Sequence, residues 1–94
     1  NSALLTNVVI NNNFGGQDGG VYLQESSSSI FSNVSIENNN GSRSGGIYIF
    51  NANPTLKQVV ISGNIADIGG GVTLDYNSSP FIINSIIFIF YLIG

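Results

Sequence analysis

Seven charged side chains are all that this 94-residue chain offers for acid–base or ionic chemistry: Asp18, Glu25, Glu37, Asp67 and Asp75 against Arg43 and Lys57. Carboxylates gathered on one face could exchange a proton with a substrate or hold a cation. The only plausible grouping is Asp18, Arg43 and Asp67, which all stand in segments just before a Gly-Gly phrase. An arginine between two carboxylates would be either part of a site or a solvated ion pair of at most about 1 kcal/mol, and the second is the simpler reading. Tyr22 and Tyr48, with Phe50 nearby, could form a sugar-binding platform on an outer face or, more simply, pack on each other across strands.

Other chemistry is excluded by what the chain lacks. With no His and no Cys there is no zinc-type ligand set, no disulfide and no thiol or imidazole for catalysis. Two cations in a chain of net charge -3 cannot neutralise a run of phosphates, so nucleic acid is not an expected partner. The longest apolar run, Ile86 to Ile93, falls far short of the roughly 20 residues a membrane helix needs, so no transmembrane segment is expected. No secretory signal pattern opens the 94 residues.

The elements that must position these residues come from a repeat. Asn7-Val8-Val9-Ile10 returns as Asn33-Val34-Ser35-Ile36, as Gln58-Val59-Val60-Ile61 and more loosely as Asn84-Ser85-Ile86-Ile87. Gly19-Gly20-Val21-Tyr22-Leu23 returns as Gly45-Gly46-Ile47-Tyr48-Ile49 and Gly70-Gly71-Val72-Thr73-Leu74. Both phrases keep a beat of 25 or 26 residues. Such a unit is too small to bury its own apolar face and has to stack on its neighbours.

Aligning the copies gives apolar columns: Leu5/Phe31/Leu56/Ile82, Val8/Val34/Val59, Ile10/Ile36/Ile61/Ile87, Val21/Ile47/Val72 and Leu23/Ile49/Leu74. Polar residues are accepted between them, which is the period-two alternation of strands with one buried face. No segment has helical periodicity. Short strands recurring at this interval can pair in parallel only by coiling, which predicts an all-β right-handed parallel β-helix of three to four coils. Each coil should carry about three short strands, around Val21–Leu23, Phe31 and Val34–Ile36 in the first full copy.

Asparagines mark the corners. Leu5 and Val8 are three apart instead of two, so the chain must turn at Thr6-Asn7, where Asn33, Gln58 and Asn84 stand in later coils. Asn enters the left-handed region readily, and its amide both donates and accepts. Asn7, Asn33, Gln58 and Asn84 are therefore expected to form a structural ladder, with Asn33 pointing inward. Asn13, Asn39 and Asn64 form a second ladder at the next corner. Sequons at Asn33, Asn40 and Asn77 carry little weight, since the pattern is common by chance.

The phrase apolar-x-x-Asn followed by Gly-Gly-apolar, read as Ile10–Asn13 with Gly19-Gly20-Val21, Ile36–Asn39 with Gly45-Gly46-Ile47, and Ile61–Asn64 with Gly70-Gly71-Val72, resembles the repeats of right-handed parallel β-helix proteins. These include pectate-lyase-like proteins and polymorphic outer-membrane-protein-like surface passengers. The resemblance spans residues 3 to 87 and implies an extracellular or cell-surface location. For an enzyme of this kind it also implies grouped acids holding calcium beside a basic residue. The acids here scatter: Glu37 falls opposite Asn11 and Ser62, and Asp75 opposite Phe50 and Gln24. Gly15-Gly16-Gln17-Asp18-Gly19-Gly20 resembles one copy of a calcium-binding nonapeptide, but its acid does not recur at the matching position, so neither a metal nor a cofactor is expected.

After Ile87 the repeat requires Asn at position 90 and a Gly-rich loop, but residues 88–94 read Phe-Ile-Phe-Tyr-Leu-Ile-Gly. This off-pattern apolar end reads either as a terminal strand or plug covering the last coil or as a broken or truncated reading frame, and the whole is expected to be a segment of a longer β-helix with flanking coils. Three functions fit: a non-catalytic structural or adhesive segment, part of a polysaccharide lyase or glycoside hydrolase, or a carbohydrate-binding module using Tyr22 and Tyr48. The first needs only a regular, weakly charged rod, and no residue is assigned a catalytic role.

Overall fold

The structure, a computed structural model, describes residues 3–25, 28–87 and the backbone of 90–92. Each coil contributes one long and one short strand. The long ones are β1 (Leu4–Asn11), β3 (Ile30–Glu37) and β5 (Thr55–Ser62); the short ones are β2 (Val21–Gln24), β4 (Ile47–Phe50) and β6 (Val72–Asp75). A last coil holds β7 (Phe81–Ile83), β8 (Ile86–Ile87) and β9 (Phe90–Leu92). All pairings are parallel and follow the coil. One sheet runs β1-β3-β5-β7 with β8 also beside β5, and the other runs β2-β4-β6-β9. This is the parallel β-helix that the repeat required.

Register agrees with the columns read from sequence. Leu5 pairs Phe31, which pairs Leu56, which pairs Ile82; Val21 pairs Ile47, which pairs Val72. Phe31, Val34, Ile36, Ile47, Ile49, Leu56, Val59, Ile61 and Val72 are all buried, so the core lies in the second and third coils. Ser85, which interrupts the Val8 column, accepts a 3.0 Å bond from Val59 N–H in place of apolar packing.

The expectation of three strands per coil is corrected to two. Phe31 and Val34–Ile36 belong to one strand, bent but unbroken at Asn33, because the left-handed residue turns the chain without ending its pairing. Asn7, Asn33, Gln58 and Asn84 have φ of 56°, 56°, 53° and 47°. In the last coil the same bend separates β7 from β8.

The Gly-Gly phrases are demanded by how closely successive coils approach. A Cβ on Gly45 would stand 2.7 Å from Ile65 N, and one on Gly46 would strike the carbonyl oxygen of Gly71. No side chain fits between those backbones.

The last coil departs from the beat. Val72 pairs Phe90, a step of 18 residues, whereas Ile47 pairs Val72 after 25. The chain passes from β8 to β9 without the asparagine and the glycine-rich loop, so Asn64 is the last rung of its ladder. The backbone of 90–92 forms β9 beside β6; residues 88, 89, 93 and 94 lie outside the described residues.

Candidate functional site

Asp18 and Arg43 meet on the outer face of the β2-β4-β6 sheet. Asp18 and Arg43 belong to the segments that lead into β2 and β4, and these segments stack: Asp18 bridges Ser44, which bridges Gly69, and Arg43 N–H donates to Gln17 O at 2.8 Å. Stacking places the Arg43 guanidinium on the Asp18 carboxylate, Nη2 at 2.6 Å from Oδ2 and Nε at 3.2 Å from Oδ1. This two-pronged bond is the main reason the arginine holds its proton even more firmly than usual.

Asp67 does not join the pair. Its backbone N–H bonds Ser42 O at 3.0 Å, its side chain is exposed, and the ion pair found among the described residues is Arg43 with Asp18. The grouping of Asp18, Arg43 and Asp67 is thereby corrected to a pair. Asp67 leads into β6 one coil further along, where the Arg43 side chain, turned toward Asp18, does not reach.

Arg43 lies over the tyrosines instead. Its Cζ is 3.8 Å from the Tyr48 ring centroid and 5.1 Å from that of Tyr22. The two rings meet edge to face, 5.4 Å apart and inclined at 74°. Tyr48 keeps only 3% of its surface exposed while Tyr22 keeps 43%, and the two rings pack on each other across strands. Phe50 pairs with Tyr76 at 5.6 Å. Tyr48 Oη donates to Asp75 Oδ2. Burial, aided by that bond to a carboxylate, pushes the Tyr48 phenol up to about 12.

The other carboxylates are dispersed. Glu37 accepts bonds from Ser35 Oγ at 2.5 Å and Ser62 Oγ at 3.0 Å, and these two hydroxyls, Ser35 first, hold its carboxyl below the usual range. Glu25 occupies a corner with φ 64°. Among the described residues no three acidic side chains converge on a point where a metal ion could sit.

The two amide columns part company. Asn39 and Asn64 are buried, at 1% and 5% exposure. Asn39 Oδ1 accepts from Asn13 N at 3.0 Å and Asn13 Nδ2 at 2.9 Å, while Asn39 N and Nδ2 donate to Asn64 Oδ1 at 2.8 and 3.0 Å. Asn39 Nδ2 also donates to Ile10 O, and Asn64 Nδ2 to Ile36 O. The Asn7 column, by contrast, is exposed, and the expectation that Asn33 points inward is wrong. The left-handed turn carries the backbone round the corner and leaves the side chain outside, where Asn33 Nδ2 donates to Asn7 Oδ1 at 2.6 Å.

Two further left-handed columns escaped the sequence reading: Asn12, Asn38 and Gly63 after the long strands, and Glu25, Asn51 and Asn77 after the short ones. Gly63 aligning with two asparagines was the available signal for the first. Outside the bend of the long strands, Asn7, Asn33 and Gln58 line a groove of about 230 Å³ with Val9, Ser35 and Val60.

Residues 1–92 match the family model described as right handed beta helix region. The chain belongs to that family. Among curated proteins and solved structures, none matches it. Family membership accords with the coil, the register and the closely approaching glycines, and it assigns no activity to the groups on the surface.

Proposed function

We propose that this segment is a non-catalytic structural or adhesive part of a β-helix protein displayed outside the cell or on its surface. The observation that supports it best is the engagement of Arg43. An arginine bonded through two nitrogens to Asp18 and laid over two tyrosines is committed to partners within the chain, with 26% of its side chain exposed, and Asp67, the further acid of the expected grouping, stands apart. The regular stack and low charge suit a spacer or a contact surface.

Incubation with pectin, alginate and related uronans, with and without calcium, is the direct test, and no depolymerisation is expected. Turnover abolished by Arg43→Ala would assign the segment to a polysaccharide lyase instead. Carbohydrate binding has one specific support, the groove beside Asn7, Asn33 and Gln58, where amides and valines stand side by side. Glycan-array binding lost on Asn33→Ala but retained on Tyr22→Ala would favour that second reading.

A further inference from the structure

The three sequons carry little weight as sequence, but the fold puts them in three different surroundings. Asn33 lies within β3, its strand paired with β1 on one side and β5 on the other, and the hydroxyl of its Ser35 donates to Glu37. Asn40 is half-buried and bridges both Phe14 and Ile65. Gly41 N–H donates to Ile65 O at 3.0 Å, and the hydroxyl of its Ser42 donates to Gly16 O at 2.6 Å. Neither segment can enter an enzyme's cleft without opening bonds to two neighbouring coils.

Asn77, followed by Ser78 and Ser79, is placed differently. It is exposed, at φ 57°, in the corner between β6, which ends at Asp75, and β7, which begins at Phe81. Ser79 is exposed too, and its hydroxyl makes no bond among the described residues. This openness belongs to the corner and not to the last coil. Asn51 and Asn53, the counterparts of Asn77 and Ser79 one coil earlier, also lie outside any strand, and they are half-exposed and exposed although their coil has neighbours on both sides. Asp75, two residues ahead of Asn77, is an acid where Asn33 has Phe31 and Asn40 has Asn38. Oligosaccharyltransferases of the bacterial kind need a carboxylate at that place, besides the hydroxyl two residues beyond the asparagine.

We propose that Asn77 is an N-glycosylation site whose donor is an oligosaccharide carried on a polyprenyl pyrophosphate. Asn77 Nδ2 forms a bond to C1 of the first sugar, the bond from that carbon to the pyrophosphate oxygen breaks, the lipid pyrophosphate leaves, and one amide proton passes to a base of the transferase. Nδ2 keeps its second hydrogen, so its 3.3 Å bond to Asn51 Oδ1 is compatible with the sugar. The exposed Tyr76 ring stands next to the acceptor. In the cell the modification rests on the proposed display outside it, because such donors are presented on that side of the membrane.

Incubating the folded 94-residue chain with a purified bacterial-type oligosaccharyltransferase and its polyprenyl-pyrophosphate oligosaccharide tests the site without reference to export, so its outcome is separate from that of the polysaccharide-cleavage test. Mass spectrometry of the peptides is expected to find the oligosaccharide on Asn77 and not on Asn33 or Asn40. Asn77→Gln and Ser79→Ala should abolish the added mass, Ser79→Thr should keep it, and Asp75→Asn should reduce it. Circular dichroism establishes that each variant keeps its coil. A chain that gains no sugar at Asn77, or gains it as readily at Asn33 or Asn40, overturns the proposal.

Discussion

Two columns of asparagine run along this molecule at neighbouring corners, and they do different work. Asn39 is buried and saturated: its amide joins three coils, taking two bonds from Asn13 and giving to Ile10 O and Asn64 Oδ1. Asn33 is exposed and bonds one neighbour, Asn7. Its value lies in the backbone, which at φ 56° turns within a strand that stays paired on both sides. One column is chosen for its side chain and the other for its tolerance of a left-handed conformation, although both read as side-chain amides at a 25- or 26-residue interval.

Substitution at Asn39 is the strongest way to break that comparison. Asn39→Ala takes away the acceptor of the two Asn13 donors and the amide donor to Ile10 O, leaves Asn64 Oδ1 only its bond from the residue-39 backbone N–H, and should cost about 2 kcal/mol in urea unfolding, since several partners lose bonds together. A cost below about 1 kcal/mol would mean that the inner ladder is replaceable.

At Asn33 two substitutions sharpen the contrast. Asn33→Val forces a β-branched residue into the left-handed region and should cost about 1–2 kcal/mol. Asn33→Gly removes the same exposed amide but keeps the conformation, and should stay within about 0.5 kcal/mol of the parent. Equal losses in both would show that the side chain matters as much outside as it does inside.

Contacts on the outer face of the short-strand sheet should resemble the outer amide column in scale. Arg43→Ala removes one partly exposed ion pair and the cation over Tyr48, and the expected loss is about 1 kcal/mol, reduced in high salt. A loss that salt leaves unchanged would assign the arginine's contribution to packing.

Neither amide column titrates, so a pH response has to come from elsewhere. The Tyr48 phenol is raised from 10.0 to about 12, which means the folded state holds that proton more tightly than the unfolded chain does. The resulting stability is fully present below pH 10 and is lost as pH rises towards 12. Denaturation midpoints measured across this window should fall, and Tyr48→Phe should flatten that part of the slope. An unchanged slope in the variant would place the response on another group.

The fold was legible because each coil is short and each buried column repeats, so period-two alternation and a fixed beat leave parallel coiling as the way to bury both. Gly45 and Gly46 were legible as a phrase, and their reason, a backbone from the next coil where a Cβ would sit, became visible only with the coils stacked. The candidate site was less legible. Asp18, Arg43 and Asp67 all stand just before a Gly-Gly phrase, but adjacency of coils does not say which way an arginine reaches, and Arg43 turns to Asp18 and the tyrosines.

What the sequence alone determined is the arrangement that depends on spacing: parallel register, inward columns and corner positions, because these follow from a period that every copy obeys. What the tertiary structure decided is direction. Whether an asparagine at a corner points in or out depends on the sense of the local turn. Whether Tyr48 is a platform or a packed ring depends on an arginine from a neighbouring segment. A one-dimensional repeat records neither, because both are set by where the backbone turns and what then lies within reach.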